Sequence, residues 1–151
     1  MAKTFKLEIV TPEETALSAE VTSLQVPAWE GYLGVLASHA PLLTVLKAGV
    51  LSVKDADGKA SFFAIKGGFM EVRDNRAVVL ADAIEPATGI EVEAARKALD
   101  AASAAPLPAP AAGGDAEQRT RLRELAVEEH RAARDWAEAR LRAAERHKEG
   151  A

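Results

Sequence analysis

Three prolines at alternate positions, Pro106, Pro108 and Pro110, stand within the Ala- and Gly-rich stretch 102–114 and forbid one continuous pattern across it. Each lacks the amide hydrogen that an α-helix needs and clashes with the preceding turn, so the stretch reads as an extended, partly polyproline-like linker. The chain must then be built in two unequal parts. A length of 151 residues allows a compact domain plus an appendage.

The first part reads as β-structure. Phe5, Leu7 and Ile9 alternate with Lys6 and Glu8 until Thr11-Pro12 interrupts, as a half-buried strand requires. Val21, Leu24 and Val26 mark a second strand, and Val50–Lys54 a third. Asp55-Ala56-Asp57-Gly58-Lys59 supplies a hairpin turn in which Gly58 takes positive φ, and Ser61–Ile65 returns as its partner. After Gly67-Gly68, Phe69–Val72 and Ala77–Ala81 form another hairpin about Arg73-Asp74-Asn75-Arg76. Short strands with regular turn signals predict an antiparallel sandwich or barrel that closes near Pro86.

From Glu91 the composition shifts to Ala, Glu, Lys and Arg. The expected division is a β-sandwich over 1–88 and a helical domain over 89–151, with helices at about 90–101 and 115–148 on either side of the linker. Asp115 is placed to cap the second helix. On a helical wheel Leu122, Leu125, Ala126, Ala133, Trp136, Ala137 and Ala144 share one face, with Glu129 and Arg140 inside it. So thin a stripe predicts reversible docking, because alanine buries much less apolar surface than leucine or tryptophan.

Charge and composition exclude several functions. Residues 1–90 carry 8 basic and 11 acidic groups and residues 115–151 carry 9 of each, so no basic surplus exists to neutralise phosphates or anionic lipid. Cysteine is absent, which removes disulfides and thiolate metal sites. His39, His130 and His147 have no ligand-like spacing, and no metal site is expected. No apolar run approaches a membrane span, and the chain reads as a soluble cytoplasmic protein.

Catalysis finds no constellation either. Ser38-His39 juxtaposes hydroxyl and imidazole, but neighbours in an extended segment point to opposite faces. Glu13-Glu14 diverges in the same way, and neither Gly67-Gly68 nor Gly31-Tyr32-Leu33-Gly34 has the residues of a phosphate loop. The unusual feature is Ala28–Leu36, where Trp29, Tyr32 and Leu33 stand among glycines. Large rigid side chains on a glycine-shaped loop are typical of protein interfaces.

Read as a block, Glu30-Gly31-Tyr32-Leu33-Gly34-Val35-Leu36-Ala37-Ser38-His39-Ala40-Pro41-Leu42-Leu43-Thr44 resembles the signature segment of the ATP synthase epsilon subunit family. Lys66–Val72 is similar to that family's S-G-G-x-x-E-V element, and Val79-Leu80-Ala81-Asp82 to its V-L-A-D. The family often has Pro-Gly before the histidine, where this chain has Ala37-Ser38, and an acidic residue in place of Tyr32.

The resemblance implies a non-catalytic, roughly ten-stranded sandwich that couples the central-stalk gamma subunit to the c-ring. It puts Trp29, Glu30, Gly31, Tyr32, Leu33 and Gly34 against the c-ring and His39, Ala40, Pro41 and Leu42 near gamma. It implies peripheral attachment at the cytoplasmic face of the bacterial inner membrane. For the tail it implies extension into the alpha/beta catalytic head and inhibition of ATP hydrolysis, with Arg119, Arg121, Arg123, Arg131, Arg134 and Arg140 as contacts. Some members bind ATP through I/L-D-x-x-R-A. Here Ile90-Glu91-Val92-Glu93-Ala94 loses the arginine, so no cofactor is expected, and ATP as a regulatory ligand would fall to Glu85, Glu93 and Arg96. Without the resemblance, the same residues also fit a stand-alone sandwich adaptor with a helical recruitment arm.

Overall fold

The computed structural model describes residues 3–109 and 112–150; Met1, Ala2, Ala151 and the linker's Pro110 and Ala111 lie outside them. Nine strands form a sandwich: β1 (Phe5–Val10), β2 (Thr15–Ala28), β3 (Gly31–Leu36), β4 (Leu42–Leu46), β5 (Gly49–Asp55), β6 (Ala60–Ile65), β7 (Gly68–Arg73), β8 (Arg76–Ala81) and β9 (Ile84–Pro86). Among the described residues these nine strands agree with the roughly ten-stranded sandwich that the resemblance implies. A 3-10 turn at Ala87–Gly89 leads into α1 (Val92–Ala104), and α2 (Ala116–Gly150) follows the linker.

The long strand β2 organises the sandwich. Its first half pairs with β1, from Phe5↔Val21 to Val10↔Thr15, and its second half pairs with β3 on one edge and β5 on the other. One layer is β1-β8-β7-β4 and the other β3-β2-β5-β6-β9, with β2 crossing between them. The crossing needs a bulge at Thr22, where the β2–β5 register shifts. The Thr22 hydroxyl donates there to the carbonyls of Lys54 and Asp55, at 3.3 and 3.1 Å.

Period-two alternation decides which side chains fill the space between the layers. Phe5, Leu7, Ile9, Val21, Leu24, Val26, Leu51, Val53, Ile65, Met70, Val72 and Val79 form one buried cluster. The hairpin signals also hold: Gly58 has φ +82°, and Asp74 and Asn75 have φ +51° and +58° in the β7–β8 turn. Gly68 is special, because it has φ +141° and a Cβ there would collide with the Leu80 carbonyl.

β1 runs parallel to β8, and Arg76 on β8 donates to the Glu8 carboxylate at 2.7 Å. That hydrogen bond holds the Glu8 carboxyl below its ordinary pKa.

Asp115 and Gln118 form a reciprocal cap at the start of α2. The Gln118 amide donates to Asp115 Oδ1 at 2.8 Å, and the Asp115 amide donates back to Gln118 Oε1 at 3.3 Å. The C-terminal half of α2 docks most deeply, and nearer the middle His130 Nε2 meets the Ala105 carbonyl at 2.8 Å. Ala139, Leu141, Ala143 and Ala144 pack with Val50, Ala64, Ala87, Ile90 and Ala95 in a second buried cluster.

This corrects the helical-wheel reading, since Leu122 and Leu125 are exposed while Ala139, Leu141 and Ala143, absent from that stripe, are buried. The helix lies in the groove between α1 and strands β5 and β6 and buries two faces there. A single-face wheel cannot register such an arrangement, and alanine suits it because small side chains let the helix lie close to both neighbours.

Replacing Gly68 by Ala should cost about 3 kcal/mol through the forced φ and the backbone collision, read as a lowered midpoint in denaturant unfolding. A second expectation concerns acid. A depressed carboxyl stabilises the fold above the ordinary carboxylate range and loses that contribution as pH falls through its lowered pKa. Carboxyl-resolved NMR titration should therefore show a lowered Glu8 midpoint, and Arg76→Gln should raise it, with Lys6 retaining part of the depression.

Candidate functional site

The segment 30–34, read from the sequence as a loop, is mostly strand. Gly31–Leu36 pairs with β2 from Ala28↔Gly31 to Ser23↔Leu36, and only Trp29-Glu30 turn the hairpin. Glycines at 31 and 34 hid the alternation, because glycine contributes no side chain to either face. Trp29 is 70% exposed at the tip, whereas Val35 points into the core. Tyr32 leans back over the sandwich, where its hydroxyl accepts from the Val50 amide at 3.3 Å. Gly49 is needed beneath it: a Cβ there would stand 2.7 Å from Pro27 Cβ and 3.1 Å from the Tyr32 hydroxyl.

The hairpin tip is tied to β4, since the Trp29 amide donates to the Val45 carbonyl at 3.2 Å and the Lys47 amide to the Pro27 carbonyl at 2.9 Å. Between tip and strand lies a largely apolar groove of about 740 Å³, lined by Ala28–Leu33 and Leu42–Val45. At the other end of β4, Ala37 and Ser38 turn the chain, with the His39 amide donating to the Leu36 carbonyl at 3.2 Å, and residues 39–41 lead into the strand. Ser38 adopts left-handed φ of +62°, where the family pattern has glycine, and its amide donates to Asn75 Oδ1 at 2.8 Å. Asn75 in turn donates to the Thr4 carbonyl at 3.0 Å.

The extended geometry expected for Ser38-His39 is therefore wrong in detail: left-handed backbone at Ser38 turns the chain before the histidine. Nδ1 of His39 is engaged by the Ala40 carbonyl at 2.7 Å.

Sequence reasoning missed the largest apolar feature. Leu43, Val45, Phe69 and Leu80 are 71%, 45%, 52% and 53% exposed, although all lie within strands. The ladders set Val45 opposite Phe69, Phe69 opposite Leu80 and Leu80 opposite Val10, so the exposed row crosses the whole β4-β7-β8-β1 layer. The intervening residues Thr44, Met70 and Val79 occupy the other face, and Met70 and Val79 are fully buried.

The signal was present in Leu42-Leu43-Thr44-Val45-Leu46 and Ala77-Val78-Val79-Leu80-Ala81, which are apolar on both alternating faces. An antiparallel strand with one solvated face should alternate apolar with polar, so apolar residues on both faces indicate a surface built to be covered.

A profile of the ATP synthase, Delta/Epsilon chain, beta-sandwich domain matches residues 4–87. The chain belongs to the ATP synthase delta/epsilon family. Among members of that family, the ATP synthase epsilon chain of Desulforamulus reducens is 50% identical over 98 residues, covering 65% of this chain and 74% of that one. The epsilon chain of Brucella anthropi is 46% identical over 110 residues, covering 68% and 82%.

A chain in the Euglena gracilis mitochondrial ATP synthase structure, solved with OSCP, F1 and c-ring, superposes with a TM-score of 0.63 at 28% identity. That match covers 83% of this chain and 76% of the other. One in the central stalk and c-ring structure of the Tetrahymena thermophila mitochondrial enzyme shares the fold, with a TM-score of 0.51 at 14% identity. As a member of the epsilon family, the chain is a subunit of a larger machine and not a catalytic one. No described helix is long and apolar enough to cross a membrane.

Within this epsilon fold the tail residues fall into two groups. Arg119, Arg121, Arg123, Arg131 and Arg134 are exposed, with Arg119 donating to the Gly114 carbonyl at 2.7 Å and Arg121 and Arg131 beside Glu117 and Glu128. Arg140 instead lies half-buried against β9, donating to both Glu85 oxygens at 2.7 and 3.3 Å, and the bond to Glu85 raises its pKa further. Glu85 is thus engaged with α2, as is Arg96, which meets Glu145 at 3.0 Å. Glu93 is exposed on α1.

Proposed function

We propose that the chain is the non-catalytic central-stalk subunit that couples gamma to the c-ring during ATP synthesis, and that its C-terminal helix restrains ATP hydrolysis. The observation that carries the coupling role is the exposed row Leu43, Val45, Phe69 and Leu80, which starts on β4 beside the hairpin tip and crosses the layer to β1. Gamma covers this row together with His39, Ala40, Pro41 and Leu42. The tip residues Trp29 to Gly34 sit on the polar loops of the c-ring. Peripheral attachment at the cytoplasmic face of the membrane follows from those partners.

Burial of large apolar side chains contributes about 1.5 to 3 kcal/mol each, which must first offset the entropy lost on association. Torque then passes through a layer whose strands are mutually hydrogen-bonded, so load applied at the tip reaches the gamma face without a hinge between them.

The exposed half of α2 fits the inhibitory role. Arg119, Arg121 and Arg123 project from the part of the helix that lies beyond α1, and Arg131 and Arg134 follow. They offer charged contacts to an acidic surface of the alpha/beta head. Arg140 joins them only after leaving Glu85. Regulation by bound ATP is not part of this reading, because Glu85 and Arg96 already hold the tail in place.

Two measurements test the proposal. The pair Phe69→Glu and Leu80→Glu should weaken binding to gamma at least about 100-fold with the melting temperature little changed, since both side chains already face solvent. Unchanged affinity would favour the adaptor reading. In the reconstituted complex, replacing Arg119, Arg121 and Arg123 together by Gln should raise ATP hydrolysis several-fold and leave assembly intact; equal hydrolysis would remove the inhibitory role and spare the coupling one.

A further inference from the structure

The docked half of α2 is held by an unusual set of contacts. Four of its five buried residues are alanines, Ala137, Ala139, Ala143 and Ala144, so on the helix side Leu141 and the half-buried Trp136 supply most of the large apolar surface that docking covers. From the middle of that footprint Arg140 reaches Glu85 on the three-residue edge strand β9 and makes a forked contact at 2.7 and 3.3 Å. Each side chain keeps about 31% of its exposure, so the pair is neither a loose surface contact nor sealed from salt.

The neighbouring contacts are weaker. Arg96–Glu145 is more exposed on both sides, and Arg146 rests over the Phe62 ring at 5.0 Å. A forked pair in a partly dehydrated place is the strongest directional contact across this junction, and removing one partner leaves a half-buried charge behind.

We propose that the Glu85–Arg140 ion pair is the latch of the C-terminal helix, so that ionic strength, or a partner carboxylate competing for Arg140, selects between docked and released tail. The inference goes beyond the inhibitory reading and does not depend on it: the latch operates within the isolated chain. Its physical mark is the sign of the salt effect. Screening weakens a partly exposed ion pair, whereas apolar contacts are not weakened by sodium chloride. A tail held by alanine packing would therefore stay shut as salt rises, and a latched one opens.

The natural absence of cysteine provides the test. In the full-length isolated chain, Ala143→Cys puts a thiol beneath the docked helix, where Ala143 is fully buried, and Ala77→Cys puts one in the sandwich core as a reference. Alkylation of the Ala143→Cys thiol should be slow at low salt and accelerate several-fold between about 0.05 and 0.5 M sodium chloride. Adding Arg140→Gln should raise the low-salt rate at least about tenfold and abolish the salt dependence, while Arg140→Lys, a single donor in place of a fork, falls between. The exchange Glu85→Arg with Arg140→Glu should restore protection. The Ala77→Cys thiol should stay protected throughout.

An Arg140→Gln chain as protected as its parent overturns the proposal, as does a charge exchange that restores nothing. Simultaneous exposure of both thiols also overturns it, because the pair would then hold the whole fold and not the tail.

Discussion

The architecture depends on one strand that belongs to both layers. Thr15–Ala28 makes its ladders with β1, β3, β4 and β5, so neither layer can form its full set of hydrogen bonds without it. The buried cluster takes Val21, Leu24 and Val26 from this strand and sets the other strands around them. A one-residue slip would move all three to the outer face, so the bulge at Thr22, fixed by its two carbonyl contacts, specifies register for the whole sandwich. The hairpin tip with Trp29 is the distal end of this strand. Its position is therefore set by the core and not by a flexible loop.

The same geometry accounts for the apolar outer row. In the layer β1-β8-β7-β4 one face closes the core and the other carries Leu43, Val45, Phe69 and Leu80. A monomer gains nothing from such a row, and exposed sheet surface of this kind invites aggregation. The opposite layer solves the equivalent problem internally, since α2 lies over Val50 and Ala64 on its outer face. One covering helix comes with the chain, whereas among the described residues nothing covers the row on the other layer.

Much of this was legible in the sequence. Strands with one polar face, such as Phe5–Val10, declared themselves by alternation, the turn at Gly58 by its need for positive φ, and the turn Arg73-Asp74-Asn75-Arg76 by its polar residues between two apolar runs. What escaped were elements whose pattern is broken for a functional or packing reason. Gly31–Leu36 has glycines where side chains would have revealed a strand, and Leu42–Leu46 is apolar on both faces. Tertiary context decided the remainder. Nothing in local spacing brings Glu85 to Arg140, 55 positions apart, and wheel periodicity cannot anticipate a helix wedged between two elements.

The reciprocal cap at Asp115 and Gln118 bears on how the tail moves. Because the first turn of α2 satisfies its own amides, the helix needs no support from the linker or the sandwich to keep its end closed. A tail released as proposed would move as a rod of about 50 Å instead of unravelling. Gly113 and Gly114, both at positive φ, would then give it a swivel next to the rod. Rotation at that swivel displaces the far half of the rod, where Arg140 sits, much more than Arg119 close to the swivel.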